Sequence, residues 1–384
     1  MAVLTRRQEL TAATATTATL PTLPFDMIIE ILCNLPVKFL IKLKCVCKSW
    51  YSLFSDHKFI KKLLLNSTMN QNLILKSIRK DSPKFCYMVY PLHSILTDVT
   101  TEGTKINFPL NNDKYYTHLV GSCDGLLCLA QGHYRNQAVL WNPSIRKFKI
   151  LPSPNFPHQK FGMRAYGFGL DHLTCNYKVV AIFKYKRHKS NVYKTQVKVH
   201  TLGTDDSWRL IDDFPSKIYT SSYLDSGKFV SGTINWLPPI DCSVTLRPIV
   251  SLDLGTESYQ DILQPDYGEE ELVMVKSCSL GVLRDCLFIL REHRTNSSDI
   301  WLMKEYGKRE SWIRLLNISY SINCCYVNNV LYIIDHDQVL LDMFKGGLAV
   351  YDSVNGTMKT LRVDKFNDLR QPEIYVESLM WPCS

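Results

Sequence analysis

Apolar residues near the start of this 384-residue chain recur at helical spacing, whereas further along they alternate in short strands. Between Pro24 and Asn34, Phe25, Ile28, Ile29 and Leu32 share one helical face. Met27, Ile31 and Leu35 form a second apolar row, and Asp26, Glu30 and Asn34 leave one polar stripe. Pro24 suits the first turn of this helix and Pro36 stops it. Further helices are expected over 37–44 and 46–54, and a fourth, capped by Asp56, carries Phe59, Leu63 and Leu64. A helix with two apolar rows needs burial on two sides. Four short helices have too little interior to cover Ile28, Ile31, Leu35, Phe39, Leu40, Val46, Trp50 and Phe59 together. Some of that surface is expected to meet a partner.

Residues 66–86 read as a helical linker, with helical spacing over 72–80 and a break at Ser82-Pro83. From 87 to 384 the period changes to that of strands separated by Gly, Asn, Asp and Pro. Strands over 94–98, 139–142, 197–201, 249–254, 300–304 and 348–352 each enter a polar turn. They leave it at Ile106, Phe148, Trp208, Tyr259, Trp312 and Met358, which advance by 42, 60, 51, 53 and 46 residues. That spacing suits propeller blades with loop insertions, and further strands over 125–130, 178–183, 229–237, 281–290 and 329–335 would complete them. The predicted fold class is therefore α+β multidomain: a disordered arm over 1–22, a small helical module over 23–65, the linker, and an all-β domain of about six blades.

Composition changes this picture little. At 46% hydrophobic and 21% charged the chain is ordinary globular protein, and no apolar run approaches a membrane span. The Thr- and Ala-rich arm has Arg6 and Arg7 as its basic residues; a transit peptide is the rival reading, opposed by Glu9. Thirteen scattered cysteines without a Cys-x-x-Cys pair suit a reducing compartment, cytoplasm or nucleus, rather than a disulfide framework or zinc site. A net charge of +9 is mild for this length, and Lys38, Lys42, Lys44 and Lys48 are too dispersed for a DNA-reading helix. No nucleic acid or membrane partner is expected.

Motif outlines that suggest chemistry are incomplete. Gly121-Ser122-Cys123-Asp124-Gly125 resembles a nucleophile elbow, yet a strand follows it instead of a helix. Gly167-x-Gly169 lacks a third glycine and reads as a tight strand turn; Asp335-His336-Asp337 reads as a polar turn; Cys324-Cys325 face opposite sides of a strand. No catalytic residue, metal or cofactor is expected. The densest basic stretch, with Lys184, Lys186, Arg187 and Lys189, is expected in a hairpin loop and is the candidate for contact with an acidic protein target. The connections 131–136, 213–227 and 265–271 are further candidates.

Leu23-Pro24-x-Asp26, Glu30-Ile31-Leu32, Leu35-Pro36-Val37-Lys38-x-Leu40, Leu43-Lys44-x-Val46-Cys47-Lys48-x-Trp50 and Leu53 resemble the plant F-box. Gly121 to Cys128, Leu140-Trp141-Asn142-Pro143, Tyr166-Gly167-Phe168-Gly169 and Gly232 to Leu237 resemble the F-box-associated, kelch-like domain. Lys42 departs from the Arg of many relatives and keeps the charge but not the donor geometry. The resemblance implies docking on a Skp1-type adaptor held by a cullin, through Leu23, Pro24, Ile28, Ile31, Leu32, Leu35, Pro36, Leu40, Val46 and Trp50. It implies a non-catalytic substrate-recognition subunit of a ubiquitin ligase, with an unidentified protein target on the β domain. Sequestration of a target without ligase assembly is the alternative, and an enzyme built on a propeller is a third reading.

Overall fold

The computed structural model describes residues 23–66, 71–78, 85–97, 100–108, 110, 117–131, 137–156, 163–186, 193–204, 207–215, 225–238, 247–268, 275–320, 326–335, 337–344, 347–363 and 369–382. The arm over 1–22 therefore lies outside the described residues. The head is built from α1 (Phe25–Cys33), α2 (Val37–Leu43), α3 (Lys48–Leu53) and α4 (His57–Asn66). Pro24 and Pro36 occupy the N-cap positions of α1 and α2, one residue earlier than a first-turn proline. Asp56 caps α4 as expected, its Oδ1 accepting from the amides of Lys58 and Phe59.

Among its described residues beyond Asn66, the linker expected over 66–86 is not helical. Its residues form β1 (Gln71–Ile78) and the start of β2 (Phe85–Pro91), an antiparallel pair. Leu73, Ile74 and Leu75 are consecutive and all buried, and a strand covered on both faces loses the alternation that distinguishes it from a helix. The converse holds at 94–98, where a strand was expected. There α5 (Leu92–Thr97) buries Leu92 and Ile95 three residues apart.

Beyond α5, β3 (Thr100–Thr101) and β4 (Thr104–Ile106) precede five four-stranded meanders. The second blade is β5 (Thr117–Cys123), β6 (Leu126–Gln131), β7 (Gln137–Asn142) and β8 (Lys147–Ile150). The third is β9 (Met163–Asp171), β10 (Asn176–Lys186), β11 (Tyr193–Thr201) and β12 (Arg209–Ile211). In the fourth, β13 (Lys228–Val230) and β14 (Thr233–Trp236) divide what the sequence suggested as one strand, and β15 (Ile249–Asp253) and β16 (Tyr259–Ile262) complete it. The fifth, β17 (Val275–Leu283), β18 (Cys286–His293), β19 (Ser297–Met303) and β20 (Trp312–Ser319), likewise splits the 281–290 run at Arg284-Asp285. The sixth is β21 (Val327–Ile333), β22 (Gln338–Met343), β23 (Gly347–Asp352) and β24 (Thr357–Val363).

The expected blade count of about six is six. The first blade is completed by the far end of the chain: β25 (Leu369–Val376) pairs with β1 and becomes its innermost strand, in the order β25-β1-β2-β4. A second clasp joins the ends of the ring, because β3 adds in parallel to the outer edge of β24. Buried apolar side chains form six clusters, one in each seam between neighbouring blades. The seam between the second and third blades also contains the buried residues of the head, among them Leu32, Leu40, Phe54 and Leu63.

Gly167 and Gly169 do not form the expected turn. They lie inside β9, where an added Cβ would stand 2.5 Å from Ile234 and 2.1 Å from the Phe229 ring of the next blade. Glycine lets the third and fourth blades approach here.

Candidate functional site

The head has two kinds of surface. Leu32 and Leu40 are buried, and Ile28, Leu35 and Trp50 are half-buried against the same cluster, Trp50 standing edge-to-face with Phe54 at 5.9 Å. Pro36 is half-buried and Pro24 exposed. Leu23, Ile31 and Val46 are 54%, 52% and 67% exposed. Of the ten predicted docking residues, then, Leu32 and Leu40 are packed inside and four lie open. The open set gains Phe25, Met27, Phe39 and Tyr51, all more than two-fifths exposed. Phe25 and Met27 were visible as members of the two apolar rows; Tyr51 carried no signal beyond its own type.

Several contacts seat the other side of the head on one rim of the propeller. α4 lies over the channel mouth, with Lys61 Nζ 4.0 Å from Cys175 Sγ in the β9–β10 turn. Residues 377–382, which follow β25, fill the joint. Leu379, Met380 and Trp381 belong to the cluster shared with the head, and burial pushes the Glu377 carboxyl up while Lys38 draws it back. Asn142 holds this segment in place. Its amide donates to the carbonyls of Ser378 at 3.1 Å and Met380 at 2.9 Å, and its Oδ1 accepts from the amides of Ser144 and Ile145. Head and β domain therefore share a core; Ser82-Pro83 lies outside the described residues.

The blades' strands alternate in direction, so turns from first to second and third to fourth strands lie on the head's rim. Connections from second to third strands, and from blade to blade, leave from the other rim. By this topology 131–136, 184–194, 213–227 and 265–271 all join strand ends on the rim opposite the head. Lys184 itself needs correction. It is a strand residue of β10 opposite Thr195, 4% exposed, and burial pushes its ammonium pKa down. Lys186 ends the same strand, while Arg187 and Lys189 lie outside the described residues.

The motif outlines resolve structurally. Cys123 ends β5 with its thiol buried and pushed well up by loss of water and by Asp124, and the chain turns through Asp124 and Gly125, both at positive φ, into β6. That geometry withholds a thiolate. Oδ1 of Asp335 accepts from the amides of Asp337 and Gln338, a turn cap; His336, Cys324 and Cys325 lie outside the described residues.

Comparison with known families accounts for both parts. Residues 20–62 match the F-box domain and residues 75–380 match the F-box associated beta propeller domain. The chain belongs to this F-box family. An F-box/kelch-repeat protein of Arabidopsis thaliana is 30% identical, with 94% of this chain and 95% of the relative covered. The F-box protein CPR1 of Arabidopsis thaliana is 25% identical over 94% of this chain and 89% of its own length. The exposed apolar surface thus belongs to the F-box, the opposite rim to its associated propeller, and neither matching family is an enzyme family.

Proposed function

We propose that this chain is the substrate receptor of a Skp1-cullin-F-box ubiquitin ligase. The observation that carries this reading is the split surface of the F-box: one side is sealed into the propeller, and the other leaves Leu23, Phe25, Met27, Ile31 and Val46 bare. So many exposed large apolar side chains on one small module call for a partner, and a Skp1-type adaptor is the partner an F-box implies. The target binds the opposite rim. Thioester chemistry takes place on the conjugating enzyme, and this chain contributes proximity by holding a target lysine near it. It supplies no catalytic residue of its own.

Variants that touch only the bare side test the reading. Leu23→Asp and Val46→Asp place a charge where an adaptor would bury it, which costs several kcal/mol of binding, while leaving the cluster beneath intact. Co-purification with Skp1 and cullin is expected for the natural chain and lost for both variants, with thermal stability unchanged. The target's half-life should lengthen accordingly. Retained Skp1 binding in both variants would overturn the assignment of this surface, and an unaltered target half-life would favour sequestration.

A further inference from the structure

The inner strands of the six blades surround a central cavity of roughly 680 Å³, roofed at the head's rim by Lys61, Leu64 and Leu65 of α4. Much of its wall is apolar, including Phe168, Phe229, Val282 and Ile374. Lys61 and the turn residues Asp124, Arg284 and Asp285 bring charge to that rim, and two further charged groups stand within the strands. Glu373 projects from β25 in the first blade and Lys228 from β13 in the fourth, on opposite sides of the ring. The Glu373 carboxyl accepts one hydrogen bond, from Ser122 Oγ to Oε1 at 3.1 Å. Burial pushes its pKa up and the field of Lys228 only partly offsets this; the two form no ion pair. Among the described residues neither Glu373 Oε2 nor Lys228 Nζ has a hydrogen-bond partner. The carboxylate, its pKa pushed up by burial, therefore keeps an acceptor atom open to a donor, and the half-buried ammonium keeps its donors open to an acceptor.

We propose that the central channel binds a small zwitterion, its ammonium on Glu373 and its carboxylate on Lys228, with an apolar body between Phe168 and Phe229. The facing charges set the ligand's polarity, and the cavity between them has the volume to hold a small molecule. This site is separate from both the adaptor surface and the target rim.

Titration calorimetry on the full chain tests the proposal with 4-aminobutyrate and L-phenylalanine, using butylamine and butyrate as analogues that carry one charge each. Saturable binding of at least one zwitterion is expected, with each single-charge analogue weaker by about tenfold or more, the loss of one charge-assisted hydrogen bond. Glu373→Gln and Lys228→Met should each weaken the zwitterion to a similar degree. Should a variant fail to fold, the comparison of analogues on the unaltered chain decides alone. Absence of binding by both zwitterions, or equal binding of the single-charge analogues, would mean that the channel holds only water and would overturn the proposal.

Discussion

Asp342 on β22 is buried beside Asn328, whose amide donates to its Oδ2, and loss of water pushes its carboxyl up to about 6 from 3.8. A raised carboxyl pKa means that the folded state holds its proton more tightly than the unfolded chain. Its contribution is therefore fully present below pH 4 and is lost as pH rises through about 6. Asp342→Asn should stabilise the protein at pH 7 by about 1–3 kcal/mol and have little effect near pH 4, as read from denaturant midpoints at the two pH values. Gly169 offers a steric counterpart. Gly169→Ala drives a methyl group into the Phe229 ring and should cost about 1–3 kcal/mol, whereas Gly121→Ala, with nothing within 4 Å, should cost far less. Equal denaturant midpoints for the two glycine variants would contradict the close approach of the blades. At this scale the sequence revealed caps such as Asp56, whose chemistry is local. It did not reveal that Lys184 is covered, because an ammonium's burial depends on strands distant in the chain.

Third-to-fourth-strand hairpins were legible because one local device recurs in them. Asn142, Asp253 and Asp352 each end a third strand and accept hydrogen bonds from amides two and three residues later. Short strands covered on both faces, such as β1, gave no alternation to read, and α5 was too short to declare its period. Asn142 has a second task that no local pattern signals, since its partners Ser378 and Met380 are more than 230 residues away. Asn142→Ala should cost about 2–3 kcal/mol through two lost bonds to buried carbonyls. Hydrogen exchange should then quicken first in residues 377–382 and α4. Uniform acceleration across the blades would instead show that Asn142 merely stabilises its own turn.

On the scale of the whole molecule, blade spacing conveyed the ring, and the F-box pattern conveyed the head. How the two join was not legible, because the joint uses the same apolar residue types as any core. Its consequence is testable by truncation. A fragment over 67–384 uncovers the seam that Leu32, Leu40, Phe54 and Leu63 occupy, so it should melt several degrees lower than the full chain or aggregate. A fragment as stable as the full chain would show that head and propeller are independent modules. The rigid joint also fixes the path between the adaptor surface and the target rim. A flexible Gly-Ser insertion after Asn66 should therefore slow target ubiquitination while leaving binding of adaptor and target unchanged.

β25 closes the ring from inside, and residues 377–382 cement the F-box to it. On the ribosome the F-box emerges some 300 residues before its seat. Until then the innermost position of the first blade stands empty and the joint lacks Leu379, Met380 and Trp381. Chains interrupted by a late stop codon therefore carry a complete adaptor-binding sequence on an unfinished support. Closure from the far end makes the geometry between the F-box surface and the opposite rim a property acquired only once residues 369–382 are in place.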